Sequence, residues 1–439
     1  MHFLFFVVLV YSSLVLSAQD QEGPQLPVIL DHADSLVGIG PPESGVREFW
    51  GNVRFTQGNV TITCDRAVYT SSTNSAELFG RVIVHQGNVL VSAPFISYNG
   101  ETHIADASRG IKVEEGASII TADKGQYSTI THVSTFIDHA IAVDDSIRIW
   151  SDTLVFDRDA DTSLASGRVV ISDSAGSAWL SGDMAFRDNR SRYTRISGHA
   201  AAWQWDSTDH PDTIYVAADT LVMTRQENEN GYVALSHVRL VRSSVSALAD
   251  TMLYSSVRGD FDLRGHPILW SDSLLLVADT INALAPDRKL SSVIGRSNAL
   301  LVSRSDTLNL DRFDQISGES IVLTIADDTV RQLSAIGRAQ SITFRSDGTR
   351  PEGLAKVASD TIRAMFQQGQ LTDVYWLGGI EGEHHPEPVV AGRADTYRLP
   401  GFVWRTDRPF MIKPVAPFTA TMTKAGDPPK VKAVNQRKR

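Results

Sequence analysis

The chain has 439 residues, of which 42% are hydrophobic and 21% charged, and its formal net charge is −10. This length leaves room for more than one domain, and the composition is that of a folded chain rather than a disordered one. The acidic balance without a basic stripe excludes a nucleic-acid scaffold, and a single cysteine, Cys64, excludes an intramolecular disulfide.

The chain opens with an apolar run from Phe3 to Leu16, followed by Ser17-Ala18, small residues suited to cleavage. That pattern predicts a secretory signal peptide over residues 1–18 and export of the remainder. The run is too short to span a bilayer comfortably, and no later stretch has the length and apolarity of a transmembrane helix.

From Gly51 onward the dominant signal is periodic. Gln57-Gly58-Asn59-Val60 returns 29 residues later as Gln86-Gly87-Asn88-Val89. The same step relates Tyr69, Tyr98, Tyr127 and Phe156, and also Val53, Val82 and Ile111. Further columns hold Phe55, Val84 and Val113, then Ile62, Val91, Ile120 and Ile149. Several columns in one register mark stacked structural repeats. The step loosens afterwards, but Ser151-Asp152-Thr153, Ala218-Asp219-Thr220, Ala249-Asp250-Thr251, Ala278-Asp279-Thr280, Ser359-Asp360-Thr361 and Ala394-Asp395-Thr396 carry the motif on. About half a repeat later, Gly or His usually precedes an apolar residue, as in Gly80-Arg81-Val82 and His237-Val238.

Within a repeat the apolar residues alternate. Val53 and Phe55 share one face with Asn52 and Arg54 opposite, and Val60, Ile62 and Cys64 oppose Thr61 and Thr63. A period of two predicts half-buried β-strands, and the four residues Thr56–Asn59 predict a hairpin loop that makes neighbours antiparallel. No segment shows a helical period. The expected fold is all-β, of antiparallel rungs stacked along one axis, each apolar face meeting another or enclosing something apolar. Cys64 reads as a small buried hydrophobe.

Candidates for chemistry are sparse. Asp157-Arg158-Asp159-Ala160-Asp161 begins like a calcium loop, but Thr162 stands where Gly is needed and Arg168 where Glu is needed. Glu381-Gly382-Glu383-His384-His385-Pro386-Glu387 gathers metal-ligating types in no zinc spacing, and its Gly and Pro suggest a mobile loop. The recurring Asp occupies one strand position per repeat, which points to local turn or edge hydrogen bonding. No G-x-S-x-G elbow, triad or nucleotide-binding loop is present, so the reading is of a chain that is not an enzyme and takes no cofactor or metal. Beyond Pro409 the chain is rich in Pro and Lys, ending Gln436-Arg437-Lys438-Arg439.

Gly58-Asn59-Val60-Thr61-Ile62-Thr63-Cys64-Asp65-Arg66-Ala67-Val68-Tyr69, followed by Ala76 and Gly80-Arg81-Val82, resembles the repeat of the OstA-like/LptA family. Cys64 stands where that family often has Ala. The resemblance covers Gly51 to about Ile171 well and extends loosely to about Ile380. It implies an elongated antiparallel β-jellyroll, open like a folded taco, in the periplasm and associated with outer-membrane biogenesis. With the signal peptide at residues 1–18 and a Pro/Lys-rich, partly disordered tail at 401–439, the resemblance implies a first jellyroll region at 27–210 and a second, more divergent one at 211–400. It also implies lipopolysaccharide as ligand, carried towards the outer membrane. The candidate lipid-groove residues are Val53, Phe55, Val60, Ile62, Val82, Val84, Val89, Val91, Ile111, Val113, Ile120 and Ile149. Implied partners are other lipopolysaccharide-transport jellyroll proteins, paired edge strand to edge strand, and further copies of this chain head to tail. A filled core without ligand satisfies the same strand pattern. A structural or adhesive surface repeat protein is therefore the alternative function, and a polysaccharide-degrading β-solenoid a third, disfavoured by its dispersed Asp residues.

Overall fold

A computed structural model describes residues 28–414, apart from 42, 206–212, 226–229, 243–244, 256, 272, 287–288, 306–310, 328, 348–349 and 368–369. The expected signal peptide, residues 1–18, and the chain beyond Pro414 lie outside the described residues. Packing separates two compact units. The N-terminal unit holds the described residues up to Ser174 with Met184–Arg190, and the C-terminal unit holds Ala175–Asp183 and Ser191–Pro414. The packing thus divides near Ser174, whereas the expected division at 210 falls within a segment outside the described residues.

Both units are all-β and antiparallel. In the N-terminal unit β1 (Ile29–His32) and β2 (Ser35–Ile39) lie end to end along β3 (Val46–Gln57), each pairing with one half of it. A meander follows, each strand paired with the next: β4 (Val60–Thr70), β5 (Ser75–Gln86), β6 (Val89–Asn99), β7 (Ile104–Glu115), β8 (Ser118–Ser128), β9 (Val133–Val143), β10 (Ile147–Asp157) and β11 (Thr162–Asp173). Two strands of 11 or 12 residues and their two turns make the 29-residue step. The hairpins are tighter than the sequence suggests. Gln57 pairs directly with Val60, so only Gly58-Asn59 turn the chain, with Gly58 at φ 57°.

After β12 (Ala178–Asp188), the C-terminal unit continues with β13 (Tyr193–Trp205), β14 (Thr213–Arg225), β15 (Asn230–Arg242) and β16 (Val245–Ser255). Two pairs of short strands follow, β17 (Asp260–Arg264) with β18 (Ile268–Ser271), and β19 (Leu274–Val277) with β20 (Thr280–Leu284). They are the halves of two strands interrupted at the middle, since β17 and β18 both pair with β16 while β19 and β20 both pair with β21 (Ser292–Arg304). Then come β22 (Phe313–Ala326), β23 (Thr329–Ser346), β24 (Pro351–Gln367), and β25 (Gln370–Leu377) beside β26 (Glu381–Pro386), both on β24. Here the repeat step loosens because the strands lengthen, to 18 residues in β23 and 17 in β24.

Every second strand turns a corner at its middle, and the ladder register shifts there. The corner residues sit in left-handed backbone: Gly80 at φ 75°, Asp138-His139 at 61° and 53°, Gly167-Arg168 at 73° and 47°, Gly198-His199 at 74° and 51°, Ser236-His237 at 64° and 54°. That conformation favours Gly, and tolerates short polar residues best among the rest. A carboxylate of the preceding strand lies under each of these corners. A Cβ built on Gly80 would stand 2.3 Å from Asp65 Oδ2, and one on Gly198 would stand 2.3 Å from Asp183 Oδ2. The same carboxylates accept hydrogen bonds from the following corner residue, as in Arg81 Nη2 to Asp65 at 2.6 Å, His139 to Asp123 at 2.8 Å and His237 to Asp219 at 2.8 Å. The recurring Asp is therefore a cross-strand corner clamp. Asp395-Thr396 is not a further copy, because it lies in a single 3-10 turn, Ala394–Thr396, outside the sheet.

Two other expectations are corrected. Glu381–Pro386 is edge strand β26, not a mobile loop, and Glu387 after it opens a short helix α1 (Glu387–Val390) and pairs with Arg312 at 2.5 Å. Residues 401–412 are packed rather than loose. Phe402 and Trp404 join buried Leu300, Val302, Phe313 and Leu399, and Met411 joins Trp203, Tyr215 and Val241.

Candidate functional site

The candidate groove residues of the N-terminal unit fall into cross-strand rows. Phe55 pairs with Ile62, Ile62 with Val84, Val84 with Val91, Val91 with Val113, Val113 with Ile120, Ile120 with Ala142, and Ala142 with Ile149, which pairs with Ile171. One aliphatic row thus runs across β3 to β11. It arises because a 29-residue step places equivalent residues two strands apart, and a hairpin pairs each with its mirror position. Most of its members are half-buried; only Ala142 and Ile171 at the far end are buried.

Nearer the corner lie Val53 and Val82, which are buried, and Ile111, which is half-buried. Nearer the hairpin ends, Val60 and Val89 are half-buried and pair with Gln86, while Val89 also pairs with Glu115. The row from Phe49 through Ala67, Leu78, Ile96, Ala107, Gly125, Phe136 and Leu154 runs along the other side of the corner. The two faces meet. Val53, Cys64, Ala67, Leu78, Val82 and Ile96 form one cluster with Phe55, Ile62, Val84 and Val91 packed against it. A Cβ on Gly125 would stand 2.7 Å from Ile111 Cδ1, so the missing side chain makes room for the opposite arm. Beyond this row Tyr69, Tyr98, Tyr127 and Phe156 alternate with Ala76, Ala105 and Ser134, large against small. The unit is therefore a wedge with a closed corner, whose valine and isoleucine face is only partly covered towards the hairpin ends.

Of the twelve candidates the structure brings seven into this single row, places Val53, Val82 and Ile111 beside the corner and leaves Val60 and Val89 at the rim. Cys64 is buried in the core, and burial pushes its thiol up to about 11, so it stays protonated and inert at neutral pH. Among the described residues no group of His, Cys, Asp and Glu is placed to hold a metal ion. In the calcium-like run, Asp157 Oδ1 accepts from Ala160 N at 2.8 Å within the hairpin turn, while Asp159 bonds His132 Nδ1 at 3.1 Å and Asp161 accepts from Asn189 Nδ2 at 2.8 Å.

None of the twelve candidate groove residues lies in the C-terminal unit, yet an apolar cavity of about 70 Å³ lies there. Ile214, Val216, Met223, Tyr232, Met252, Tyr254 and Phe261 line it, with Trp179 and Trp203 at one side. Ile214 and Val216 precede the corner level of β14 and Met223 follows it, so the cavity lies between two arms, as the wedge does in the N-terminal unit. A denser run of apolar residues, as in His199-Ala200-Ala201-Ala202-Trp203, was the signal that could have located it.

Among known proteins, residues 25–176 match the model of a family described as OstA-like protein. No match was found among curated proteins. One solved structure to which the chain is similar is LptH of Pseudomonas aeruginosa, the LptA homologous periplasmic component of the conserved lipopolysaccharide transport device. It has 18% sequence identity and a TM-score of 0.22, over 25% of this chain and 74% of that one.

Proposed function

We propose that this chain is a non-catalytic carrier that shelters the acyl chains of lipopolysaccharide on their way across the periplasm to the outer membrane. The observation that supports it most is the half-buried aliphatic row from Phe55 to Ile149, set within the OstA-like region. Exposing an acyl chain to water costs about 0.8 kcal/mol per CH₂, on the order of 10 kcal/mol for one long chain. A face of like residues repeated rung by rung replaces water with apolar contact at every step. No rung binds much more tightly than the next, so a chain can slide. Sugars and phosphates stay at the open rim, where Gln57, Gln86 and Glu115 stand.

The carrier works in a chain of similar proteins. Edge strands β1 and β2 present Ile29, Leu36, Val37 and Ile39 to solvent, and β25 presents Leu371, Tyr375, Trp376 and Leu377. Unpaired strand edges with apolar side chains invite another protein's strand. The partners are other lipopolysaccharide-transport jellyroll proteins, or a second copy head to tail.

The test is chemical. The exported protein is purified from its own envelope without detergent exchange, extracted with organic solvent, and the extract analysed by mass spectrometry. Acylated disaccharide phosphate in near-stoichiometric amount is expected. An extract free of acyl lipid, with the protein folded, would favour the structural or adhesive repeat protein instead.

A further inference from the structure

The C-terminal segment takes an unusual course. After α1, residues 397–412 belong to no strand or helix, and they run along one row of the C-terminal sheet in reverse chain order. Gln315 donates to Tyr397 O at 3.0 Å and accepts from Leu399 N at 2.8 Å. Trp270 Nε1 donates to Arg405 O at 3.1 Å, Arg408 Nε to Ser246 Oγ at 3.1 Å, and Trp203 Nε1 to Ile412 O at 2.6 Å. Those sheet residues are joined through direct register partners: Trp203 to Tyr215, Val241, Ser246 and Trp270, then through Leu275 and Val302 to Gln315. Side chains alternate between faces along a strand. The segment covers the face bearing Tyr215, whereas its neighbours Ile214 and Val216 face the cavity.

We propose that residues 397–412 are a strap that clamps this arm from outside, and that its grip sets whether the cavity on the other face opens to an apolar chain. The inference rests on the carrier reading above. The cavity holds about 70 Å³, and an apolar cavity of roughly 150 Å³ is what admits a single benzene ring. An acyl chain therefore enters only if the arms part. The strap spans β13 to β22 and ties the arm at widely spaced points, so it resists that motion. It is also built to let go. Its polar ties to the sheet are a few side-chain bonds instead of a ladder, and the Trp404 indole N–H is buried with no partner, a cost that release recovers. Its far end is exposed, with Phe410 at 75% and Ile412 at 48%, so it peels from the end bonded to Trp203, whose side chain also borders the cavity.

The test uses the full chain and a palmitate carrying a diazirine, with labelled peptides mapped by mass spectrometry. Met411→Ala loosens the strap end and is expected to raise labelling around Met223, Tyr232 and Met252 at least threefold, with labelling around Val84 and Ile120 unchanged. A second protein carries Ser246→Cys and Arg408→Cys, bridged by a short bis-alkylating reagent. Cys64, buried and protonated, does not compete for the reagent. Bridging is expected to lower cavity labelling below that of the same protein before bridging, and this comparison stands even where Met411→Ala fails to fold. Cavity labelling indifferent to both changes, with Val84 and Ile120 labelled, overturns the strap alone. Absence of label in both units overturns the carrier reading and the strap with it.

Discussion

The two units use the same corner and the same ladder but bury their arms differently. In the N-terminal unit the strands from β3 to β10 alternate, as Val53, Phe55, Ile62 and Val84 turn inward while Arg54, Thr61, Thr63 and His85 turn to the other face, and only β11 buries a continuous run, Val169–Asp173. In the C-terminal unit neighbouring residues are buried together: Ala299, Leu300, Leu301 and Val302 on β21, and Leu275 with Leu276 on β19. One sheet face packs against the opposite arm and the other lies under the strap. A sheet covered on both faces loses its alternation, and the sequence turns into continuous apolar runs. The comparison teaches that one repeat motif serves two purposes: a partly open face where only one side is covered, and a nearly closed one where both are.

The contrast predicts unequal costs of truncation. Leu275→Ala, at a fully buried position beneath Trp270 and Trp404, is expected to destabilise the C-terminal unit by about 2–5 kcal/mol. Val84→Ala, on the half-covered row, is expected to cost about 1 kcal/mol and to weaken acyl-chain binding instead. Urea denaturation read by hydrogen exchange in each unit separates the two; equal costs would break the distinction.

The buried polar anchor comes next. Gln315 is fully buried and its amide bonds both Tyr397 O and Leu399 N, so Gln315→Leu strands a buried carbonyl and a buried N–H. A loss of roughly 2–3 kcal/mol is expected, together with faster exchange along residues 397–412.

The C-terminal unit also carries a titrating group. Burial pushes the Asp314 carboxyl up to about 6, although it accepts a hydrogen bond from Phe344 N at 2.9 Å. Below pH 4 both folded and unfolded chains hold this proton. As pH rises towards 6 the unfolded chain releases it first, so this group's contribution to stability falls through that window and stays low above it. Asp314→Asn, keeping the acceptor, should flatten the profile and gain on the order of 2 kcal/mol at pH 7 with little change at pH 4. An unchanged slope between pH 4 and 6 would assign the pH dependence elsewhere.

The smallest effect distinguishes two corners of the N-terminal unit. Gly110, at φ 100°, has nothing within 4 Å of a built Cβ, whereas Gly80 would collide with the Asp65 carboxylate. Gly110→Ala should cost only the backbone term, about 1 kcal/mol, and Gly80→Ala measurably more in a side-by-side thermal melt. Equal melting temperatures would mean that Asp65 moves aside freely.

Much of this architecture was legible. The 29-residue columns gave the strands, their facing and the aliphatic row from Phe55 to Ile149, because a meander of equal strands converts sequence period directly into cross-strand register. The corner clamp was half legible. Gly80-Arg81 and His237-Val238 stood out as a recurring motif, but Asp65 and Arg81 stand on different strands, and nothing in the spacing of either motif says that they touch. The strap was not legible at all. Residues 397–412 have no period, and Pro400, Pro409 and Pro414 read as the start of a loose tail. Phe402, Trp404 and Met411 were the only hint, since apolar side chains of that size need cover. The C-terminal cavity was missed for a related reason: continuous apolar runs hide which face points where.

The central claim is that the inward row of the N-terminal unit touches acyl chains while the alternate face of the same strands does not. A photoreactive phenylalanine analogue at Val84 and Ile120, and in separate proteins at their neighbours Ile83 and Thr121, measures this in cells. Crosslinks to lipopolysaccharide from Val84 and Ile120 alone are the result expected. Equal crosslinking from both faces, or crosslinking only from Ile83 and Thr121, would contradict the account.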